Sequence, residues 1–333
     1  MLTLHPARLL FFCSLLLGTF IAFSSSSWFT AWLGLELNLL SFIPLISSKY
    51  NLYSSEAALK YFLIQALGSA IILASAPALL LLSLNPSVMI LSALLLKMGA
   101  APVHFWFPSV MQGIGWMQCV ILMTIQKIAP MLMVSYLLTS GTTYIMFMSS
   151  VLSSLVGSLG GLNQTLLRKI MAYSSINHMA WMLAAVHIST PLWVNYFMIY
   201  SIVSSSVVSI MHSQQIFHFS QTSNLIHSST LLKTTMFFSL LSLGGLPPFL
   251  GFLPKLTIIQ SLVYSSSFIW LAALLLSALI TLFYYLRLIM ISLTLSSPKT
   301  KSSLSMPLSS LLSSITFINL APLLAPLLTF LPF

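Results

Sequence analysis

Long apolar runs, each cut off by a few polar residues, repeat along this chain from end to end. The runs match helices of about 20 residues or more, the length that crosses a ~30 Å hydrocarbon layer at ~1.5 Å per residue. Eleven such segments are expected, at roughly 5–24, 28–47, 56–84, 86–107, 115–139, 143–160, 166–188, 191–217, 231–264, 268–292 and 306–330. Two of them are interrupted. The fourth carries Gly99 and Pro102 in GAAP, ahead of HFWFP, and the ninth carries Pro247, Pro248 and Pro254 in GGLPPFLGFLPK. Proline removes a backbone donor and clashes with the preceding turn, so both segments predict helices broken partway across. The glycines of GSLGG, 157–161, predict a loop, and the Ser- and His-rich stretch 212–230 predicts a longer exposed one. The expected fold is an all-α polytopic membrane protein, a single transmembrane domain over 1–333 with no soluble domain.

Composition leaves no room for a water-facing globule. Of 333 residues, 58% are hydrophobic and 4% charged, with a mean hydropathy of +1.03, whereas soluble domains carry about 25% charged residues. The formal net charge of +10 comes from 12 Lys and Arg against two acids, Glu36 and Glu56. Nucleic-acid binding needs a clustered basic face, and these cations stand singly between apolar runs. Topology accounts for them better. Arg8, Lys49 with Glu56, Arg168 with Lys169, the stretch from His218 to His227 with Lys233, and Lys299 with Lys301 all fall on one side of an eleven-span arrangement. The opposite loops, SSSS at 24–27 and TSGTT at 139–143, carry no charge. The positive-inside rule therefore expects the N-terminus on the cytoplasmic or matrix side and the C-terminus on the other. Met1 runs almost directly into LLFFCSLLLGTFIAF without a cleavage site or an Arg-rich leader, so no cleavable targeting peptide is expected. Cys13 and Cys119 lie in apolar segments without a CxxC pattern, which argues against a disulfide framework or a metal site.

Against this background the ionisable residues at mid-depth stand out. Glu36 lies about eight residues into its span, or ~12 Å, and Lys97, Lys127 and His178 lie about eleven or twelve residues into theirs. Lys255 follows the second break, and Lys60 lies nearer the basic side. Lys60 and Lys233 can snorkel to the interface along their butyl stems, but depth makes that strained for Lys97 and Lys127. A central Lys or Glu costs roughly 2.5–3.5 kcal/mol on insertion scales, and one acid among the six cannot pair with every lysine. A desolvated lysine among other cations exchanges its proton readily. Lysines linked by His and water, with one Glu–Lys pair as a switch, make a plausible proton relay, and irregular backbone at membrane depth is tolerated where it lines a cavity. A structural reading also stands, in which the lysines pair with acids of neighbouring chains and His178 is a satisfied core histidine.

Nucleotide-binding patterns such as GxxxxGK[ST] or a strand-linked GxGxxG are absent, and two carboxylates with scattered His assemble no metal cage or paired-carboxylate site. The stretches WLGLELNLLSFIPL, EAALKYFLIQA, LLLKMGAAPVHFWFP, GGLNQTLLRKIMAYSSINHMAW and SLGGLPPFLGFLPKL, extended by TLFYYLRL at 281–288, carry a resemblance. In this order they are similar to the chain 2 family of mitochondrial NADH:ubiquinone oxidoreductase (respiratory complex I), in its bilaterian animal form. The resemblance implies an antiporter-like fold lacking the first three helices of bacterial relatives, in the mitochondrial inner membrane. It implies a proton-translocating subunit with Glu36 and Lys60 as the switch pair, Lys97, Lys127 and His178 on the central axis, and Lys255 towards the exit or a neighbour. It also implies that NAD, FMN, iron–sulfur clusters and ubiquinone bind elsewhere in the complex, with no cofactor in this chain. The implied partners are the other membrane-arm subunits, including antiporter-like neighbours, and lipids such as cardiolipin. A free-standing cation/proton antiporter and a purely structural membrane subunit are the alternatives.

Overall fold

The computed structural model describes residues 6–47, 51–81, 86–222 and 230–294, together with Thr316 and Asn319. Apart from a short 3-10 turn at 219–222 and one isolated bridge between Leu166 and His218, the regular elements among them are α-helices. In chain order these are α1 (Pro6–Ser24), α2 (Trp28–Ile46), α3 (Leu52–Leu81), α4 (Pro86–Met98), α5 (Trp106–Gly113), α6 (Trp116–Met123), α7 (Ile125–Ser135), α8 (Ser140–Leu162), α9 (Leu167–Ile188), α10 (Thr190–Ser213), α11 (Thr230–Gly244), α12 (Phe252–Tyr264) and α13 (Phe268–Thr294). Among the described residues, seven segments are long and apolar enough to cross a membrane: those within α1, α2, α3, α8, α10 and α13, and the stretch Trp116–Ser135. The expected eleventh segment lies outside the described residues except for Thr316 and Asn319, as do Lys49, His227, Lys299 and Lys301.

The structure divides into two units, Met1–Ser153 and Ser154–Phe333. In the first, α1 and α2 form a close hairpin. Ser27 caps α2 through a reciprocal capping box with Thr30, and the backbones meet at glycines. A Cβ on Gly34 would sit 2.6 Å from the Ala22 amide nitrogen, and one on Gly18 would sit 2.9 Å from the Gly34 carbonyl oxygen. Small residues drive such approaches in lipid, where apolar side chains gain nothing by meeting one another. Leu9, Leu10, Leu17, Phe20 and Phe23 of α1 are exposed, as suits a lipid-facing helix. Gly34→Leu is accordingly expected to force α1 and α2 apart at a cost of about 1–3 kcal/mol, seen as a lower thermal midpoint of the detergent-solubilised protein.

Two expectations are corrected. The segment 115–139 is not one helix: α6 ends at Met123, and α7 starts after Thr124, whose φ of −113° and ψ of −82° leave the helical region. The Thr124 hydroxyl bonds back to the Val120 carbonyl at 2.7 Å, and Pro130 has no N–H to offer the Gln126 carbonyl, so the ladder is weakened on both sides of the joint. The GSLGG stretch is not a loop but the end of α8. A Cβ on Gly157 would lie 2.6 Å from the Asn177 amide nitrogen of α9, and one on Gly160 would lie 2.5 Å from the Tyr173 ring. These glycines are a packing face. They hold α8 against α9, the helix at the heart of the second unit, in which Ile176 to Val186 is buried without a gap.

Candidate functional site

Helices α4 and α11 end in the same way, inside the protein. Gly99 has φ +73° and Gly245 φ +76°, left-handed values that suit glycine. The Gly99 amide donates to the Leu96 carbonyl (3.1 Å) and that of Ala100 to Leu95 (3.0 Å). At the second site the Gly245 amide donates to Ser242 (3.1 Å) and that of Leu246 to Leu241 (3.4 Å). Both pairs form a Schellman cap. Pro102, and then Pro247 and Pro248, lie in the non-helical stretches that follow, while Pro254 falls in the first turn of α12, where proline is tolerated.

Carbonyls at these ends also take side-chain donors. Gln65 Nε2 donates to the Lys97 carbonyl at 3.0 Å and Trp106 Nε1 to that of Leu96 at 3.1 Å. At the second end the donor is a charge: Lys255 Nζ lies 2.9 Å from the Gly244 carbonyl oxygen. A cation is favoured at a helix C-terminus, where the peptide dipoles leave partial negative charge.

Lys97, Lys127 and Lys255 are all buried, with 6%, 2% and 5% of their surface exposed. Each lies within a turn of an interior helix end: Lys97 is next to last in α4, Lys127 third in α7 and Lys255 fourth in α12. The Lys97 stem runs across Gly68 of α3, where a Cβ would meet its Cγ at 3.0 Å. Lys127 Nζ lies 5.0 Å from the centroid of the Phe107 ring, and Lys255 Nζ lies 5.8 Å from that of Trp181.

Glu36 Oε2 is buried without a hydrogen-bond partner among the described residues. Glu36 and Lys60, expected as the switch pair, are not within ion-pair distance of each other in this structure. Lys60 pairs instead with Glu56, one turn away on α3, and both side chains are about half exposed at 48% and 60%. Spacing of four residues puts these two on one helix face, and that local geometry prevails.

Sequence reasoning missed the neutral groups around these charges. In the first unit the Tyr61 hydroxyl lies 3.0 Å from Gln126 Oε1, and Gln126 Nε2 donates to Asn38 Oδ1 at 2.9 Å. This chain joins α3, α7 and α2, beside Lys127 and two residues from Glu36. His104 is also buried, its Nδ1 3.2 Å from the Pro102 carbonyl oxygen in the stretch after Gly99. Polar residues inside apolar helices were the available signal, because each needs a partner when buried.

In the second unit His178 Nδ1 lies 2.8 Å from the Tyr196 hydroxyl, and its ring lies 4.8 Å from that of Tyr200. A small pocket of about 10 Å3, room for roughly one water, is lined by His178, Tyr196, Tyr200, Ser242, Gly251 and Pro254. His178 and the second interruption thus share one space. The sequence placed His178 and Lys255 in the same relay, and the structure brings them to the same unit around Gly251 and Pro254. Groups of this kind can exchange protons: cations in dry surroundings, with hydroxyl and imidazole groups within hydrogen-bond reach.

Comparison with known proteins agrees with this geometry. A family model described as NADH:quinone oxidoreductase/Mrp antiporter, TM, matches residues 25–85 and 79–281. An NADH-ubiquinone oxidoreductase chain 2 from Anopheles gambiae is 50% identical over 289 residues, covering 84% of each chain. The protein of the same name from Aedes aegypti is 48% identical over 288 residues, with the same coverage of both. Among solved structures, a chain of respiratory complex I from Thermus thermophilus matches with a TM-score of 0.85 at 24% identity, over 95% of this chain and 78% of that one. A chain of the Mrp complex from Dietzia sp. matches with a TM-score of 0.78 at 19% identity, over 89% of this chain and 62% of that one. At these identities the two structures speak for the fold, which is that of the antiporter-like membrane proteins. The sequence matches go further, and by them the chain belongs to the NADH-ubiquinone oxidoreductase chain 2 family, within the NADH:quinone oxidoreductase/Mrp antiporter transmembrane proteins.

Proposed function

We propose that the chain is a core membrane-arm subunit of respiratory complex I that couples electron transfer from NADH to ubiquinone to proton translocation. The observation that carries this reading is the set of three buried lysines, each at an interior helix end, in a chain with only two acids. Lys97, Lys127, His178 and Lys255 form the mid-membrane relay, joined by water. Glu36 biases Lys97, and Lys60 with Glu56 stands at the relay's margin, where a neighbouring subunit can meet it. The polar chain Tyr61–Gln126–Asn38 supports the path between Glu36 and Lys127.

In this reading α4 with α5, and α11 with α12, are each one span broken mid-membrane. Eleven spans then put the N-terminus on the matrix side of the mitochondrial inner membrane and the C-terminus on the intermembrane-space side. The basic loops face the matrix, where anionic lipids such as cardiolipin meet them. Redox groups and quinone belong to other subunits of the complex, so this chain moves protons and not electrons.

Extraction of the membrane in a mild detergent tests the assignment. The chain is expected to migrate only in a very large assembly that oxidises NADH with ubiquinone. Migration alone, or in a small assembly that exchanges cations for protons, would favour the free-standing antiporter.

A further inference from the structure

The second interruption is closed by a residue from far along the chain. Between Gly244, the last residue of α11, and Phe252, the first of α12, the backbone leaves the helix and returns. Its two ends touch: a Cβ on Gly251 would lie 1.8 Å from the Ser242 carbonyl oxygen. Asn319 bonds to both ends. The Ser242 hydroxyl lies 3.1 Å from Asn319 Oδ1 and 2.8 Å from the Ser239 carbonyl, which shares its one proton, and the Leu250 amide donates to the Asn319 backbone carbonyl at 3.3 Å. Asn319 is 1% exposed, and its Nδ2 has no hydrogen-bond partner among the described residues. Within the apolar segment 306–330 it is the only amide side chain, and that segment has no charge.

We infer that Asn319 is a positioning residue for Lys255, the clasp that keeps the 245–251 connection closed so that the Lys255 ammonium stays on the Gly244 carbonyl. The lysine stem lies against Gly245, where a Cβ would meet its Cδ at 2.9 Å, and its backbone rides on the first turn of α12, just after Gly251. Head and stem therefore belong to opposite ends of the connection, and their meeting depends on that ring being shut. Asn319 acts on it with two different oxygens, the side-chain one on α11 and the backbone one on the return strand. Ser242, Gly251 and Pro254, which flank the connection, also line the small pocket that His178 lines. A buried amide donor left over beside such a pocket suits an interior water.

The inference rests on the proton-relay reading, and the two fail differently in one experiment. In the assembled complex, Asn319→Leu, Lys255→Met and the double variant are compared for the ratio of protons moved to electrons passed. The amount of complex is fixed by NADH oxidation with an artificial electron acceptor. Lys255→Met is expected to lower the ratio at least about twofold, Asn319→Leu to lower it comparably, and the double variant to fall no further, because both changes disable one step. Asn319→Asp keeps the acceptor for Ser242 and is expected to hold the ratio above that of Asn319→Leu. A normal ratio in Asn319→Leu beside a lowered one in Lys255→Met overturns the inference and leaves the relay standing. So does a double variant whose losses add. A normal ratio in Lys255→Met overturns the relay reading, and the inference with it. If Asn319→Leu prevents assembly, Ser242→Ala removes only the hydroxyl donor; a lowered ratio then supports the clasp and an unchanged one overturns it.

Discussion

Lys97→Met is expected to leave the complex assembled while cutting coupled NADH:ubiquinone turnover and proton translocation more than about tenfold, the scale of a lost acid–base group. Methionine fills the volume of the lysine stem along Gly68, so packing against α3 survives. The Gln65 and Trp106 hydrogen bonds at this helix end go to backbone carbonyls and are untouched by the change. What is removed is an exchangeable proton on a side chain only 6% exposed, in a chain with two acids, Glu36 and Glu56. Proton uptake by the reconstituted complex, set against the quantity of assembled complex on a native gel, checks it. Full proton-to-electron stoichiometry in this variant would sink the role given to Lys97. Glu36→Gln is expected to act in the same direction but more weakly, because it alters the bias on the lysine and not the proton carrier itself.

The second large effect concerns a backbone and not a charge. Gly251→Ala is expected to abolish accumulation of the assembled protein, or to leave it with less than about a tenth of the wild-type amount, a loss above ~1.4 kcal/mol. The new methyl group would sit 1.8 Å from the Ser242 carbonyl oxygen, a backbone atom with no rotamer in which to escape. By contrast, Gly244→Ala places its Cβ 3.7 Å from the nearest neighbour, ordinary van der Waals contact, and is expected to be tolerated. Immunoblots of native gels for the two variants separate a steric requirement at Gly251 from a general intolerance of this region. Equal accumulation of both would show that the connection yields.

Some of this was legible in the sequence because the physics is local. Depth along an apolar run predicted that Lys97, Lys127, His178 and Lys255 would be buried, and they are, at 6%, 2%, 6% and 5% exposure. Glycine next to proline announced where α4 and α11 stop. The joint at Thr124 was hidden because a threonine bonding back to its own helix, with one lost bond six residues later, leaves no such mark. GSLGG was misread because glycine breaks helices in water but lets them approach in lipid. Tyr61, Gln126 and Asn38 stayed out of view because their partners are 65 and 88 residues away. Asn319 reaches Ser242 across 77. Pairing over such distances is decided by how the helices pack, and no window along the chain contains it.

The contact between the Lys255 ammonium and the end of α11 changes how much it costs to hold a proton there. A helix C-terminus carries roughly half a negative charge. With the amine protonated, the pair has a net charge of about plus one half, and with it neutral about minus one half. The self-energy of a charge in a poorly polarisable medium grows with its square, so each state costs about a quarter of what a bare ammonium would. Neither state is then the bare charge that a poorly polarisable interior penalises most. A proton leaving this site would change the sign of the local field at the end of α11.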